Sequence, residues 1–392
     1  MQTTQDSTPS LIQMLSELIA SPSISCTNPK LDQSNLGVIH KLESWLSSLG
    51  FQTEIMPLPD QEGKANLIAT LGTGPGGLVL SGHTDTVPCN DELWGSNPFE
   101  LTEKDNKLYG LGTCDMKGFF PLVIEAAKAY TDKPLQQPLI VLATADEESS
   151  MNGARALAES GYPKARYAVI GEPTGLKPIY MHKGMMMESV RIRGKAGHSS
   201  DPSLGANALE AMHSAISELL TYRKEIQSKY INPAFTVSVP TMNMGCIHGG
   251  DNPNRICGYC ELEYDLRPLP GMAIDNLRED IEKRLAPIGD AYGVQLEASS
   301  LFPPIPPFEN HANSPLVKVA ESLTGHTAEA VAFGTEAPFL QQLGMDTIVM
   351  GPGSIDQAHQ PDEFLALDQL KPTVAILEAL IGRYCFELAA EK

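Results

Sequence analysis

Apolar side chains recur along this chain with two alternating periods, and the alternation predicts an architecture. Leu11, Leu15, Leu18 and Ile19 follow one another at helical spacing behind Thr8-Pro9, which reads as an N-cap with proline at the first helical position. A second helix is expected over 36–49, stopped by Gly50, and strand-sized runs follow at 51–57, 65–71 and 78–82. Helix 119–130, strand 139–145, helix 153–160 and strand 167–171 continue the series. Strands separated by helices imply an α/β fold with a mixed, largely parallel sheet covered by helices on both faces.

The pattern changes at Lys183-Gly184. Strand 185–193, helix 206–228, strands 235–244 and 255–266, helix 273–285 and strand 295–300 spell β-α-β-β-α-β, one ferredoxin-like α+β unit. The proline-rich stretch LFPPIPPFEN then punctuates the chain, and alternation resumes. A chain of 392 residues is long for a single core. The expectation is a catalytic domain over 1–183 and 301–392, interrupted by an inserted domain at 184–300.

Composition narrows the function classes. The longest apolar runs, such as ANLIATL and GLVLSG, are strand-sized and too short to span a bilayer. MQTTQDSTPS has no basic patch followed by an apolar stretch, so a cytoplasmic location without a membrane partner is expected. A net charge of −20 with no basic stripe disfavours nucleic acid and is compatible with metal cations or a cationic substrate. The seven cysteines are irregularly spaced; Cys257 and Cys260 form a C-x-x-C without the second pair a zinc ribbon needs, inside a β-prone run.

In open α/β sheets, sites form at the carboxyl ends of parallel strands, and the chemically informative residues fall there. LVLSGHTDTVP ends a strand with His83 and Asp85, two apart and so on one face of extended chain. A carboxylate at Asp85 can accept the second imidazole N–H of a metal-binding histidine and fix its tautomer. GLGTCDMKGF presents Asp115 just before a helix; IVLATADEES supplies Asp146, Glu147 and Glu148; YAVIGEPTG supplies Glu172; and GPGSIDQAHQPDEF supplies His359 from a glycine-rich loop. Each alone is more often a hydrogen-bonded structural histidine or a solvated acidic turn than a ligand. Together, two imidazoles and three carboxylates expected on one rim suit a borderline divalent metal such as zinc, with manganese or cobalt as alternatives.

The phrases GHTDTVP, GTCDMKG, DEE, GEPT, GKAGHSS, NRICGYCELEYDLRPLPG, TEAPFLQQLG and GPGSIDQAHQPDE occur here in an order that resembles the aminoacylase/carboxypeptidase family of co-catalytic metallohydrolases, over essentially the whole chain. The last three point to the branch that removes the acetyl group from N2-acetyl-L-ornithine. The resemblance implies a zinc-peptidase-like catalytic domain and a binuclear metal centre. His83 and Glu172 would bind the first ion, Glu148 and His359 the second, and Asp115 both. Asp85 would support His83, and Glu147, bound to no metal, would be the general acid/base. It also implies a cis peptide after Asp115, and a homodimer through the inserted domain in which His198 reaches the neighbouring subunit's site to stabilise an oxyanion. Asn254 resembles a family position that touches substrate across the dimer. From its chemistry Arg267 is the candidate for a substrate carboxylate, and Glu336 for a substrate amine. The expected partner is thus a small N-acyl amino acid.

Three other readings stay open on sequence alone: a succinyl-diaminopimelate desuccinylase or related metallodipeptidase, a metal- or ligand-binding protein with a lapsed active site, and a serine or cysteine hydrolase. The last is disfavoured by the lack of a G-x-S-x-G elbow, although Cys114 stands beside Asp115.

Overall fold

The computed structural model describes residues 8–386, which divide into two compact units. The first comprises the chain up to Tyr180, Asn310–Glu329 and the chain from Thr335 onward; the second comprises Met181–Glu309 and Ala330–Gly334. The second unit therefore takes in 181–183, 301–309 and 330–334 in addition to the expected insertion 184–300.

The first unit is built on a mixed sheet ordered Gln52–Pro57, Ala65–Leu71, Leu139–Thr144, Leu78–His83, Tyr167–Pro173, Asp346–Gly351. The strands Leu139–Thr144, Leu78–His83, Tyr167–Pro173 and Asp346–Gly351 run parallel to their neighbours within this group, and Gln52–Pro57 and Ala65–Leu71 add an antiparallel edge. The three parallel strands Leu139–Thr144, Leu78–His83 and Tyr167–Pro173 are buried along their whole length, as a sheet covered on both faces requires. Helices Leu11–Ile19, Leu36–Ser48, Phe119–Lys128 and Leu370–Ile381 contribute Met14, Leu15, Leu42, Phe119, Leu122 and Leu380 to one core with Leu80, Val141 and Val169 of the sheet. Two glycines let the backbone pack this closely: a Cβ on Gly351 would stand 2.1 Å from the Gly171 carbonyl oxygen, and one on Gly171 would stand 2.3 Å from the Phe119 ring.

The first helix starts one turn-signal later than expected. Ser10, not Thr8, is the N-cap: its hydroxyl accepts the Gln13 N–H at 3.4 Å, and Gln13 Oε1 accepts the Ser10 N–H at 3.0 Å. This reciprocal pair satisfies two otherwise orphaned donors; three residues beyond Thr8 stands Leu11, whose side chain has no acceptor to return such a bond.

The second unit is a four-stranded antiparallel sheet ordered Thr241–Gly249, Tyr259–Arg267, Met186–Arg193, Gln295–Ser300, with helices Ala208–Lys229 and Ile274–Tyr292 in the connections. Chain order and sheet order together give the ferredoxin-like arrangement. Four boundaries differ from expectation by four residues or more; the strand expected to end at 244 runs to Gly249, and the strand expected from 255 starts at Tyr259. The strand expected at 235–244 begins only at Thr241: Val237 and Val239 alternate as in a strand, but Pro233 and Pro240 bracket them and remove ladder donors. The helix expected to stop at Leu285 continues through Pro287 to Tyr292 and ends on Gly293 at φ 61°.

Candidate metal centre

The carboxyl ends of the parallel strands carry the site. His83 is the last residue of Leu78–His83; Glu147 and Glu148 follow Leu139–Thr144 by three and four positions; Glu172 is the penultimate residue of Tyr167–Pro173; and the loop after Asp346–Gly351 bears His359. Asp115 comes from the loop ahead of helix Phe119–Lys128, and its peptide bond to Met116 is cis. All six side chains belong to the first unit.

Asp115 stands between the two histidines. Its Oδ1 lies 3.0 Å from His83 Nε2, and its Oδ2 lies 3.6 Å from His359 Nε2. Glu148 Oε2 lies 2.9 Å from His359 Nε2, and Glu172 Oε1 lies 3.8 Å from His83 Nε2. His83, Asp115 and Glu172 are buried, whereas His359 is exposed, with φ 62°. The side-chain atoms form two overlapping triads whose ligand atoms lie within 4.8 Å of one another: His83, Asp115 and Glu148, and His83, Glu147 and Glu172.

The tautomer of His83 makes this arrangement informative. Its Nδ1 is 3.0 Å from the main-chain oxygen of Asp85, an atom that can only accept, so Nδ1 carries the proton and Nε2 offers its lone pair. That lone pair faces a carboxylate oxygen of Asp115. Two lone pairs at 3.0 Å repel unless a positive charge, a proton or a metal ion, lies with them. The electrostatics of the cluster point the same way. Burial alone would lower the His83 imidazole, but its bond to Asp115 and the charges of Glu172, Asp115 and Asp85 hold it well above the usual histidine range. The bond to Glu148 raises His359 to about 9. Burial, then the neighbouring carboxylates, push Glu147 and Glu172 well above the usual carboxylate range, with His83 opposing. The cluster is short of positive charge.

A divalent pair fits that shortage. Glu148 Oε1 and Glu172 Oε1 are buried oxygens with no hydrogen-bond partner, an arrangement that calls for an ion or a water. Since His83 has one available lone pair, one ion can take His83 and a second must draw on His359. Nothing in these distances separates Glu147 from the ligands, because it completes one of the triads.

Asp85 acts differently from the sequence-based expectation. Its carboxylate Oδ1 is 3.7 Å from His83 Nδ1; instead it accepts the N–H groups of Glu147 at 3.3 Å and Glu148 at 3.1 Å, while its main-chain carbonyl takes the imidazole proton. Asp85 thus joins the histidine to the turn that carries both glutamates. Below that turn, the buried Lys64 bonds Asp146 Oδ1 at 2.8 Å and Asp32 Oδ1 at 2.9 Å, a support that strand-end reading could not find.

Glu336 is 1% exposed at the start of helix Ala337–Gln342 in the same unit. Its Oε2 accepts the Thr144 hydroxyl at 3.0 Å, its Oε1 has no partner, and burial raises it to about 7. The remaining three candidates lie in the second unit. His198 is exposed and its Nδ1 accepts the Ser200 N–H at 3.2 Å, leaving the proton on Nε2. Ser199 N–H donates to the Asn254 carbonyl at 3.1 Å, which brings these two segments side by side. Arg267 is half-buried and donates Nε–H to Asp265 Oδ2 at 2.9 Å.

Cys114 does not have the setting of a nucleophile. It is buried, its thiol donates to the Ser354 carbonyl at 3.5 Å, and burial followed by the charges of Glu363 and Asp115 push it above the usual thiol range.

Comparison with known proteins agrees with the geometry. Residues 79–383 match peptidase family M20/M25/M40. Acetylornithine deacetylases of Pasteurella multocida and Edwardsiella ictaluri are each 51% identical to this chain over 377 residues, 96% of this chain and 98% of theirs. An M20 family metallo-carboxypeptidase from Sulfolobus solfataricus shares the fold with a TM-score of 0.74 at 19% identity, over 95% of this chain and 98% of that one. Aminopeptidase PepT from Bacillus cereus does so with a TM-score of 0.72 at 21% identity, over 95% and 97%. The matched segment contains every strand end that bears the cluster, and half of all aligned positions are shared with relatives of nearly equal extent: the chain belongs to peptidase family M20/M25/M40.

Proposed function

We propose that this chain hydrolyses the acetyl amide of N2-acetyl-L-ornithine to L-ornithine and acetate, a step of arginine biosynthesis, using two divalent cations, with zinc the expected metal. The observation that carries the reading is the 51% identity, over almost the full length, to acetylornithine deacetylases. His83 and Glu172 would hold one ion, Glu148 and His359 the other, and Asp115 would span them; the lone-pair arrangement and the two orphaned oxygens support that assignment. When bound, such ions lower the pKa of water and polarise an acyl oxygen.

The chain's own residues supply the rest. Glu147 takes a proton from the attacking water as the new C–O bond forms, and returns it to nitrogen as the C–N bond breaks. Its raised affinity for protons, from desolvation and the neighbouring glutamates, suits a group that must both accept and release one. The unpartnered Oε1 of Glu336 suits the substrate's side-chain ammonium. Arg267 is assigned to the substrate carboxylate. His198, protonated at Nε2, and Asn254 are assigned to a site completed by a second subunit.

Metal-loaded protein should release acetate from N2-acetyl-L-ornithine faster than succinate from N-succinyl-diaminopimelate. It should also disfavour N-acetyl-L-norleucine, the isostere with a methyl group in place of the ammonium, by about 10–100-fold in kcat/KM, the worth of one buried charged hydrogen bond. Preferred release of succinate would move the assignment to a desuccinylase. No turnover by protein that binds both ions would leave a lapsed site. Light scattering of the active species should give twice the chain mass; a fully active monomer would remove the role given to His198.

A further inference from the structure

Four residues beyond His359, Glu363 is 1% exposed, and its carboxylate is directed not at the metal cluster but at the backbone of the loop that bears Asp115. Oε1 accepts the N–H groups of Cys114 at 2.7 Å, Asp115 at 2.9 Å and Gly112 at 3.1 Å, and Oε2 also lies 3.1 Å from the Gly112 nitrogen. The main-chain oxygen of Glu363 accepts the Gly110 N–H at 3.1 Å, and its neighbour Phe364 pairs with Tyr109 in a short antiparallel ladder. Gly112, at φ +87°, turns the chain so that these N–H groups converge, forming a concave nest for an anion. The nearest basic side chain in sequence, Lys117, has its Nζ on the carbonyls of Leu18 and Ser21 at 3.0 and 3.1 Å. The carboxylate is thus held by main-chain donors.

The consequence is mechanical. The loop 112–115 has no regular secondary structure of its own, and Asp115 must offer one oxygen toward each histidine. We propose that Glu363 is a positioning residue for Asp115: its carboxylate fixes the 112–115 backbone in the form that aims the aspartate between His83 and His359, and thereby sets how tightly the second ion is held. This rests on the reading of Asp115 as a ligand to both ions. Through its own backbone, Glu363 also fixes the exit of the loop that carries His359, so one residue ties together the supports of two ligands 244 positions apart in sequence. Glutamine at this position would keep the shape and one acceptor, but its NH2 would face an N–H donor wherever Oε2 now lies.

The test uses the full-length protein loaded with cobalt(II), titrated by calorimetry and by visible absorption. Glu363→Gln should weaken the looser ion by about 10–100-fold, as loss of a residue orienting a metal ligand does, and should change the cobalt absorption bands while far-ultraviolet circular dichroism stays unchanged. Glu363→Asp, which keeps both carboxyl oxygens one methylene short, should fall between Gln and the parent. Unchanged ion affinities and an unchanged cobalt spectrum in the Gln variant would overturn the proposal, even if thermal stability drops, since a merely structural role predicts that outcome. If the Gln variant does not fold, the same criteria applied to Glu363→Asp decide. Asp115→Ala separates the two readings: if it still binds both ions with parent affinity, the ligand assignment of Asp115 fails; if it loses an ion while Glu363→Gln does not, the positioning role alone fails.

Discussion

Glu147→Ala should keep both cations and lose about 10²–10⁴-fold in kcat, the usual contribution of a positioned general acid/base. The prediction is pointed because Glu147 and Glu148 are neighbours with similar surroundings and different assignments. Glu148 has its Oε2 on His359, 2.9 Å away. Glu147 has its N–H fixed by Asp85 and its carboxylate near, but not hydrogen-bonded to, His83 and Glu172. A carboxylate engaged with a cation is a poor proton carrier, so a base must stay outside the ligand set. The geometry alone would permit Glu147 to be a ligand, since it closes a triad with His83 and Glu172. Metal analysis of the variant therefore decides between roles: an inactive protein with two ions supports the proton carrier, and an inactive protein that has lost one ion makes Glu147 a ligand. Glu147→Gln, which preserves volume but accepts no proton at working pH, should match the alanine variant in rate. If either variant retains full activity, the acid/base assignment fails.

What could be read from the sequence and what could not follows from the range of the interaction involved. His83, Glu172 and the Asp146–Glu148 turn stand immediately at the ends of buried apolar runs, so local pattern and the strand-end rule were enough to nominate them together. Spacing also put His83 and Asp85 on one side of the chain, yet the atom that orients the imidazole is a backbone carbonyl, a choice that side-chain identity does not encode. Glu363 escaped notice because its partners are amides 248 to 251 positions earlier, and an acid in QPDEF looks like any solvated loop acid. Lys64 escaped for a similar reason: a lysine ahead of a strand is ordinarily exposed, and only the fold places Asp32 and Asp146 on either side of its buried Nζ. The late strand start at Thr241 follows from local signals, Pro233 and Pro240, whereas the helix that runs through Pro287 is the reverse case, a local stop overridden by tertiary packing: Ile281 and Leu285 are buried, and the helix goes on past the proline to a left-handed glycine cap.

Stripping the protein with a chelator should abolish hydrolysis and lower its thermal stability together, and adding back zinc, cobalt or manganese should restore both. The first half follows from chemistry: bringing the pKa of water from 15.7 toward about 7 is beyond any unassisted carboxylate. The second half follows from the cluster itself. Asp85, Asp115, Glu147, Glu148 and Glu172 are withdrawn from water around two imidazoles, and desolvation raises all of them except Asp115, whose bond to His83 outweighs it. Folding without cations must therefore confine mutually repelling carboxylates or bind protons in their place. An ion that binds only the folded chain adds about 2.7 kcal/mol at a hundred times its dissociation constant, so two independent ions add about 5 kcal/mol. All the ligands lie in the first unit, so a calorimetric trace should show the transition that includes this unit moving up with free metal. The opposite result, full activity and an unmoved transition in metal-free protein, would mean that protons alone hold His83 against Asp115, and the paired-cation reading of the site would have to be given up.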